Sequence, residues 1–82
     1  MSYTYILYSS KCDRYYIGYC IDINLRLERH NKGYVKATHN CRPYILKAFK
    51  VWGSESEARK EELRIKKMKS RKYLEYLIAG NW

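Results

Sequence analysis

Arg26 and His30 fall on the same apolar stripe as Ile23 and Leu27 when residues 23–30 are wound with helical periodicity, while Leu25, Glu28 and Arg29 lie on the other side. An inward-facing arginine is costly unless it is paired or opens into a polar cleft. Glu62 shares a narrow helical face with Ala58 and Ile65, which sets a carboxylate between two apolar positions. A sheltered carboxylate is how proteins hold Mg²⁺, together with several waters and a substrate phosphate. Pairing Tyr8 with Tyr15 across a hairpin sets Tyr5 opposite Gly18 on the face that also carries Tyr16, and the glycine leaves room beside the Tyr5 ring. A carboxylate able to hold such a cation, near an inward-facing arginine, is a set that could take a phosphate group.

Each residue also has a plainer account. Arg26 can snorkel from the edge of the stripe, and His30 can be a satisfied interior histidine. Glu62 can pair with Lys66 at i,i+4, worth a few tenths of a kcal/mol. Gly18 can mark a bulge or a packing concession. In a chain with ten tyrosines, Tyr5 and Tyr16 can be core residues with wet hydroxyls.

The charge balance narrows the partner. Lys and Arg number 17 against 8 Asp and Glu, a formal +9 over 82 residues, which favours a polyanion over a neutral metabolite. Nucleic acid ranks ahead of an anionic membrane surface, because the charge is spread along the chain and no segment is long and apolar enough to span a bilayer. Lys66, Lys67, Lys69, Arg71 and Lys72 form the densest basic run, and Lys11, Arg14, Lys36 and Arg42 add charge in the loops. As phosphate contacts these predict salt-sensitive affinity and structure-dependent or weakly selective action. A solvated helix face is the alternative for the C-terminal run.

The elements that must position these groups read as a single α/β domain over residues 1–82, a small three-stranded antiparallel sheet flanked by helices in the order ββα-β-αα. Residues 3–8 and 15–20 are aromatic and β-branched, with a polar connection between them. Asp22 caps a helix running to about Lys32, where Gly33 is a stop signal. Residues 34–43 read as loop and 44–52 as a third strand. Ser54-x-x-Glu57 is a capping box that opens a helix to about Met68, and Ser70 caps a last helix carrying Tyr73, Leu74, Leu77 and Ile78. Three cysteines, Cys12, Cys20 and Cys41, with no CxxC pair, predict reduced structural thiols, and His39-x-Cys41 reads as an inert pair. Met1 leads straight into a Tyr-rich strand with no signal-peptide pattern, so the expected location is cytoplasmic.

Taken together the positions resemble the GIY-YIG nuclease family. Tyr16-Ile17-Gly18 is the second half of the signature and Tyr3-Thr4-Tyr5 is an altered first half. The steps from Tyr5 to Tyr16 and on to Arg26 are similar to the family's, as are His30 one turn later and Glu62 on the following long helix. The likeness is greatest to small stand-alone bacterial members, in which a pair such as Arg42-Pro43 precedes the third strand and a helix like the one from Ser56-Glu57-Ala58 to Lys66-Lys67 follows. Tyr3-Thr4 replaces the family's Gly-Ile, and an Asn that many members carry beyond the glutamate has no counterpart, Asn81 lying too far along.

The resemblance implies cleavage of one DNA strand by an in-line water, with one divalent metal, Mg²⁺ or Mn²⁺, held by Glu62. Arg26 serves the phosphate and Tyr5 orients or deprotonates the water. Tyr16 and His30 compete for that last role. A nuclease fold can also be kept as a binding module. A non-catalytic nucleic-acid-binding domain and an interaction module in a repair or recombination complex are therefore the two alternatives.

Overall fold

β1 (Ser2–Ser9) is the strand around which everything else is laid. In the computed structural model, which describes all 82 residues, β1 pairs antiparallel with β2 (Arg14–Cys20) on one side and with β3 (Ile45–Trp52) on the other, giving the order β2-β1-β3. Its register sets Tyr8 against Tyr15 and Tyr5 against Gly18, the pairing under which the glycine faces the Tyr5 ring. Because strand side chains alternate between faces, a central strand covered on both sides buries residues pointing to either face. Tyr5, Ile6 and Leu7 are accordingly all buried.

Each face has its own core. Tyr5 and Leu7 pack with Cys20, Cys41 and Tyr44 beneath Ile23 and Leu27 of α1 (Ile23–Asn31). Ile6 packs with Ile65 of α2 (Glu55–Met68), Leu74 of α3 (Arg71–Tyr76) and Leu77 in the wider turn that follows α3. The three helices start where their capping residues stand. The side chains of Asp22, Ser54 and Ser70 accept from the backbone N–H groups of Leu25, Glu57 and Tyr73 at 3.0, 3.2 and 3.1 Å. No helix is long and apolar enough to cross a membrane.

Two polar contacts fix the elements that matter for the site. Thr4 Oγ1 donates to the Ala58 carbonyl at 2.7 Å, seating α2 on the sheet one turn before Glu62. The Asn31 side chain brackets the Tyr44 backbone, accepting from its N–H at 2.7 Å and donating to its carbonyl at 3.1 Å, which ties the end of α1 to the start of β3.

The segment between them differs from the expectation. Residues 34–43 are not plain loop, since Lys36–Cys41 forms a 3₁₀ turn with Thr38 and Cys41 buried. Cys12 and Cys41 are not reduced thiols. They form a disulfide, while Cys20 stays free and buried. The physical reason is tertiary. The hairpin turn and the 3₁₀ turn fold against each other, with Ser9 Oγ donating to the Cys41 carbonyl, and the two Cα atoms come within 5.5 Å, inside the bridging range.

Candidate functional site

A cleft of about 470 Å³ opens where β2, α1 and α2 meet. Tyr5, Tyr16, Gly18, Arg26 and Glu62 all line it. Five of the six positions singled out in the sequence therefore share one wall-to-wall space. The sixth, His30, is buried immediately behind Tyr5.

Gly18 is what lets Tyr5 into the cleft. A Cβ there would overlap the Tyr5 hydroxyl and the end of its ring, so the glycine is a packing requirement of the phenol. Behind the phenol runs a short polar chain. Tyr5 Oη lies 3.0 Å from His30 Nε2, His30 Nδ1 lies 2.7 Å from Thr38 Oγ1, and Thr38 Oγ1 donates to the Val35 carbonyl. With the Thr38 proton committed to Val35, the tautomer that satisfies every partner carries its proton on Nδ1 and accepts the Tyr5 hydroxyl proton at Nε2. The 3₁₀ turn thus orients the imidazole, which in turn orients Tyr5.

Burial sets the protonation of this chain. Desolvation, followed by the Tyr16 phenol, raises the Tyr5 pKa well above its usual value, against the lowering influence of Arg26. Tyr16 is also raised, by desolvation first and Glu62 second. Both phenols are neutral at physiological pH. Desolvation and then Arg26 lower His30 to about 4, so it is neutral too.

His30 couples stability to pH. The unfolded chain takes up a proton near pH 6.5 while folded His30 does so only near pH 4, so the unfolded state binds more protons between those values and stability falls as pH falls through that window. The total effect is about 3 kcal/mol. Urea unfolding at pH 7.5, 5.5 and 4.5 checks it. The wild type loses stability across the series, His30→Asn loses distinctly less, and equal slopes would contradict the assignment.

Two adjacent carboxylates on α2 meet different fates. Glu61 is saturated. It accepts from Arg64 Nε and Nη2 at 2.6 and 2.9 Å and from Trp82 Nε1 at 2.8 Å, and Arg64 above all holds its carboxyl below the usual range. Glu62 faces the cleft, and its one ion-pair partner is Lys66, whose Nζ stands 3.5 Å from Oε2. The i,i+4 pair expected as the plainer account of Glu62 is present. It coexists with a cleft-lining position.

Arg26 is half-buried at the edge of the α1 stripe and reaches the cleft from there. Leu25 and Arg29, read from the sequence as the far side of α1, line the same cleft. The cleft opens along the flank of the helix, so the wall continues from Arg26 towards Arg29 instead of ending at the apolar stripe. Arg29 was missed for that reason, although its place one turn after Arg26 was a usable signal. Glu55 was missed as well, two turns before Glu62 on the same side of α2.

The basic residues do not gather in the cleft. Lys67, Lys69 and Lys72 are exposed on and after α2 with no ion-pair partner, and Lys11, Arg14 and Lys36 are exposed elsewhere on the surface. Arg71 is already engaged, with Asp13 at 2.6 Å, Glu75 at 3.5 Å and the Tyr15 ring beneath it. Arg42 is half-buried with its guanidinium packed over Gly33.

Comparison with known proteins agrees with this geometry. Residues 1–74 match the model of the GIY-YIG catalytic domain. UPF0213 proteins of Staphylococcus aureus strains Mu3 and N315 are each 38% identical over 66 residues, covering 77% of this chain and 80% of theirs. The solution structure of UPF0213 protein BH0048 from Bacillus halodurans superposes with a TM-score of 0.59 at 32% identity, covering 96% of this chain and 84% of that one. With the signature strand pair, the α1 arginine and the α2 glutamate on one cleft, and a family model matched over most of its length, the chain belongs to the GIY-YIG nuclease family.

Proposed function

We propose that the 82 residues act as one metal-dependent endonuclease unit that hydrolyses phosphodiester bonds of DNA, selecting by structure more than by sequence. The observation that carries this reading is the convergence of Tyr5, Tyr16, Arg26 and Glu62 on a single cleft, with His30 hydrogen-bonded to Tyr5 from behind. A domain that only bound phosphates would gain nothing from a nearly buried carboxylate among them, because it repels the backbone unless a cation intervenes.

The donor set fits a hard divalent cation. No cluster of three His, Cys, Asp or Glu side chains stands anywhere in the fold, which argues against a caged transition metal. One accessible carboxylate beside an arginine suits Mg²⁺ or Mn²⁺, ions that keep several waters and share a substrate phosphate. Such an ion supplies charge neutralisation at the phosphate and at the leaving oxygen.

The chain's own groups do the rest. Glu62 would hold the cation. Arg26 donates to the non-bridging oxygens of the phosphate, where charge rises in the transition state. Neutral Tyr5 accepts a hydrogen bond from the attacking water and takes its proton as the water attacks, passing its own proton to His30 Nε2, so no free phenolate is needed beforehand. Tyr16 sits with its ring 6.4 Å from that of Tyr5 and its hydroxyl free for the phosphate or the water. The free lysines Lys67, Lys69 and Lys72 with Lys11, Arg14 and Lys36 supply the non-specific phosphate contacts.

This reading places the protein with its substrate in the cytoplasm, where the thiol pool would compete to open Cys12–Cys41. A role in repair or recombination suits a nuclease that selects by DNA structure. Supercoiled plasmid and branched oligonucleotides, incubated with Mg²⁺, Mn²⁺ or chelator over a salt series, test the reading. Metal-dependent cutting is expected, with log affinity falling linearly against log salt. Tight binding without a cut on any substrate would favour the non-catalytic module instead.

A further inference from the structure

Lys66 stands in a place that phosphate tracking does not explain. Its Nζ is 3.5 Å from the Glu62 carboxylate and 5.7 Å above the ring of Tyr16, so it is anchored by two groups that line the cleft. The Glu62 side chain is 11% exposed and that of Lys66 44%, so the carboxylate is far more sheltered than in the fold's other i,i+4 pairs, Lys32–Glu28 and Arg71–Glu75. No other cationic side chain pairs with Glu62, whereas Lys60, Lys67 and Lys69 on and just after the same helix pair with nothing.

Resting on the metal-dependent reading above, we propose that Lys66 is the resident counter-cation of Glu62, competing with the divalent ion for that carboxylate in the free protein and released to the phosphate when nucleic acid is bound. A nearly buried carboxylate without a counter-charge is unfavourable, and the ammonium on the next turn removes that cost while no substrate is present. A divalent ion arriving at Glu62 must displace the ammonium, so free-protein metal affinity is weakened. Once a strand occupies the cleft, its phosphate offers Lys66 an alternative partner within the reach of a flexible four-carbon stem. Metal and nucleic acid then bind with positive coupling, because each relieves a cost imposed on the other.

Mn²⁺ titration followed by electron paramagnetic resonance tests this on the nucleic-acid-free protein, without any activity readout. Lys66→Met is expected to bind Mn²⁺ about three- to tenfold more tightly than wild type, from the loss of a competing charge at a partly screened site. Lys66→Arg keeps the wild-type affinity, and Glu62→Gln abolishes binding. Lys60→Met, which removes the same charge elsewhere on α2, separates local competition from net charge and is expected to shift affinity by less than about twofold. Thermal unfolding of each variant confirms that it is folded. Equal or weaker binding by Lys66→Met, with Glu62→Gln still abolishing it, would overturn the role of Lys66 and leave the nuclease reading standing. If wild type, Lys66→Met and Glu62→Gln all fail to bind Mn²⁺ alike, the metal-dependent reading falls and this inference with it.

Discussion

Arg26→Ala is expected to lower single-turnover cleavage about 10²- to 10³-fold while changing DNA affinity only a few-fold, a loss of about 3–4 kcal/mol concentrated in the transition state. The asymmetry follows from position. Arg26 lies inside the cleft with Glu62, Tyr5 and Tyr16, whereas the lysines that provide most of the positive charge are outside it. Under the proposed function, affinity would rest on many exposed cations and turnover on one half-buried guanidinium. Lys does not substitute well, since a fork that meets two phosphate oxygens becomes a single point charge. The measurement is a rapid-quench time course at saturating enzyme beside an anisotropy titration of the same duplex. Equal losses in rate and affinity would make Arg26 a binding residue.

Opening the Cys12–Cys41 bond is expected to cost the fold about 3–4 kcal/mol, from the chain entropy returned to the unfolded state when a bridge with a sequence separation of 29 is cut. For a chain of this size that is a fall in Tm of roughly 15–25 °C. The effect reaches the site, because the bridged 3₁₀ turn carries Thr38, which orients His30 and through it Tyr5. Thermal unfolding with and without a phosphine reductant checks it. Wild type shifts down and Cys12→Ser, already without the bond, does not. Superimposable wild-type curves would show that the bridge contributes nothing.

Local chemistry explains what was legible in the sequence. Asp22, Ser54 and Ser70 announce helix starts because their side chains satisfy N–H groups two or three residues on, a contact contained within the motif. The register Tyr5–Gly18 was legible only as one of the pairings, two residues apart, that keep both apolar faces together, and the hairpin adopts the one that sets Tyr8 against Tyr15. Helical periodicity puts Ala58 and Ile65 a turn either side of Glu61 as well as of Glu62, so the pattern alone does not choose between the two carboxylates. What separates their chemistry, however, is tertiary: Arg64 and Trp82 saturate Glu61 and leave Glu62 to the cleft.

The illegible features lie in contacts between distant segments. Nothing near Cys12 announces Cys41, and an odd cysteine count argued against pairing. The 3₁₀ turn adds contacts from His30 and from the hairpin turn to its own local Thr38–Val35 bonds, and those distant partners are not visible in its sequence. Arg29 was set aside because helical periodicity gives the direction of a side chain relative to the core but not where along the flank of α1 the cleft opens.

Glu62 is the residue proposed to give this cleft a metal-dependent hydrolytic activity. Wild type and Glu62→Gln, which keeps the shape of the side chain and removes its charge, are compared on the same branched and plasmid substrates with Mg²⁺, Mn²⁺ and chelator, with DNA binding measured in parallel. Cutting is expected from wild type only with metal, none above background from Glu62→Gln with either ion, and DNA binding by the variant at least as tight as by wild type. Metal-dependent cutting by Glu62→Gln at the wild-type rate would contradict it.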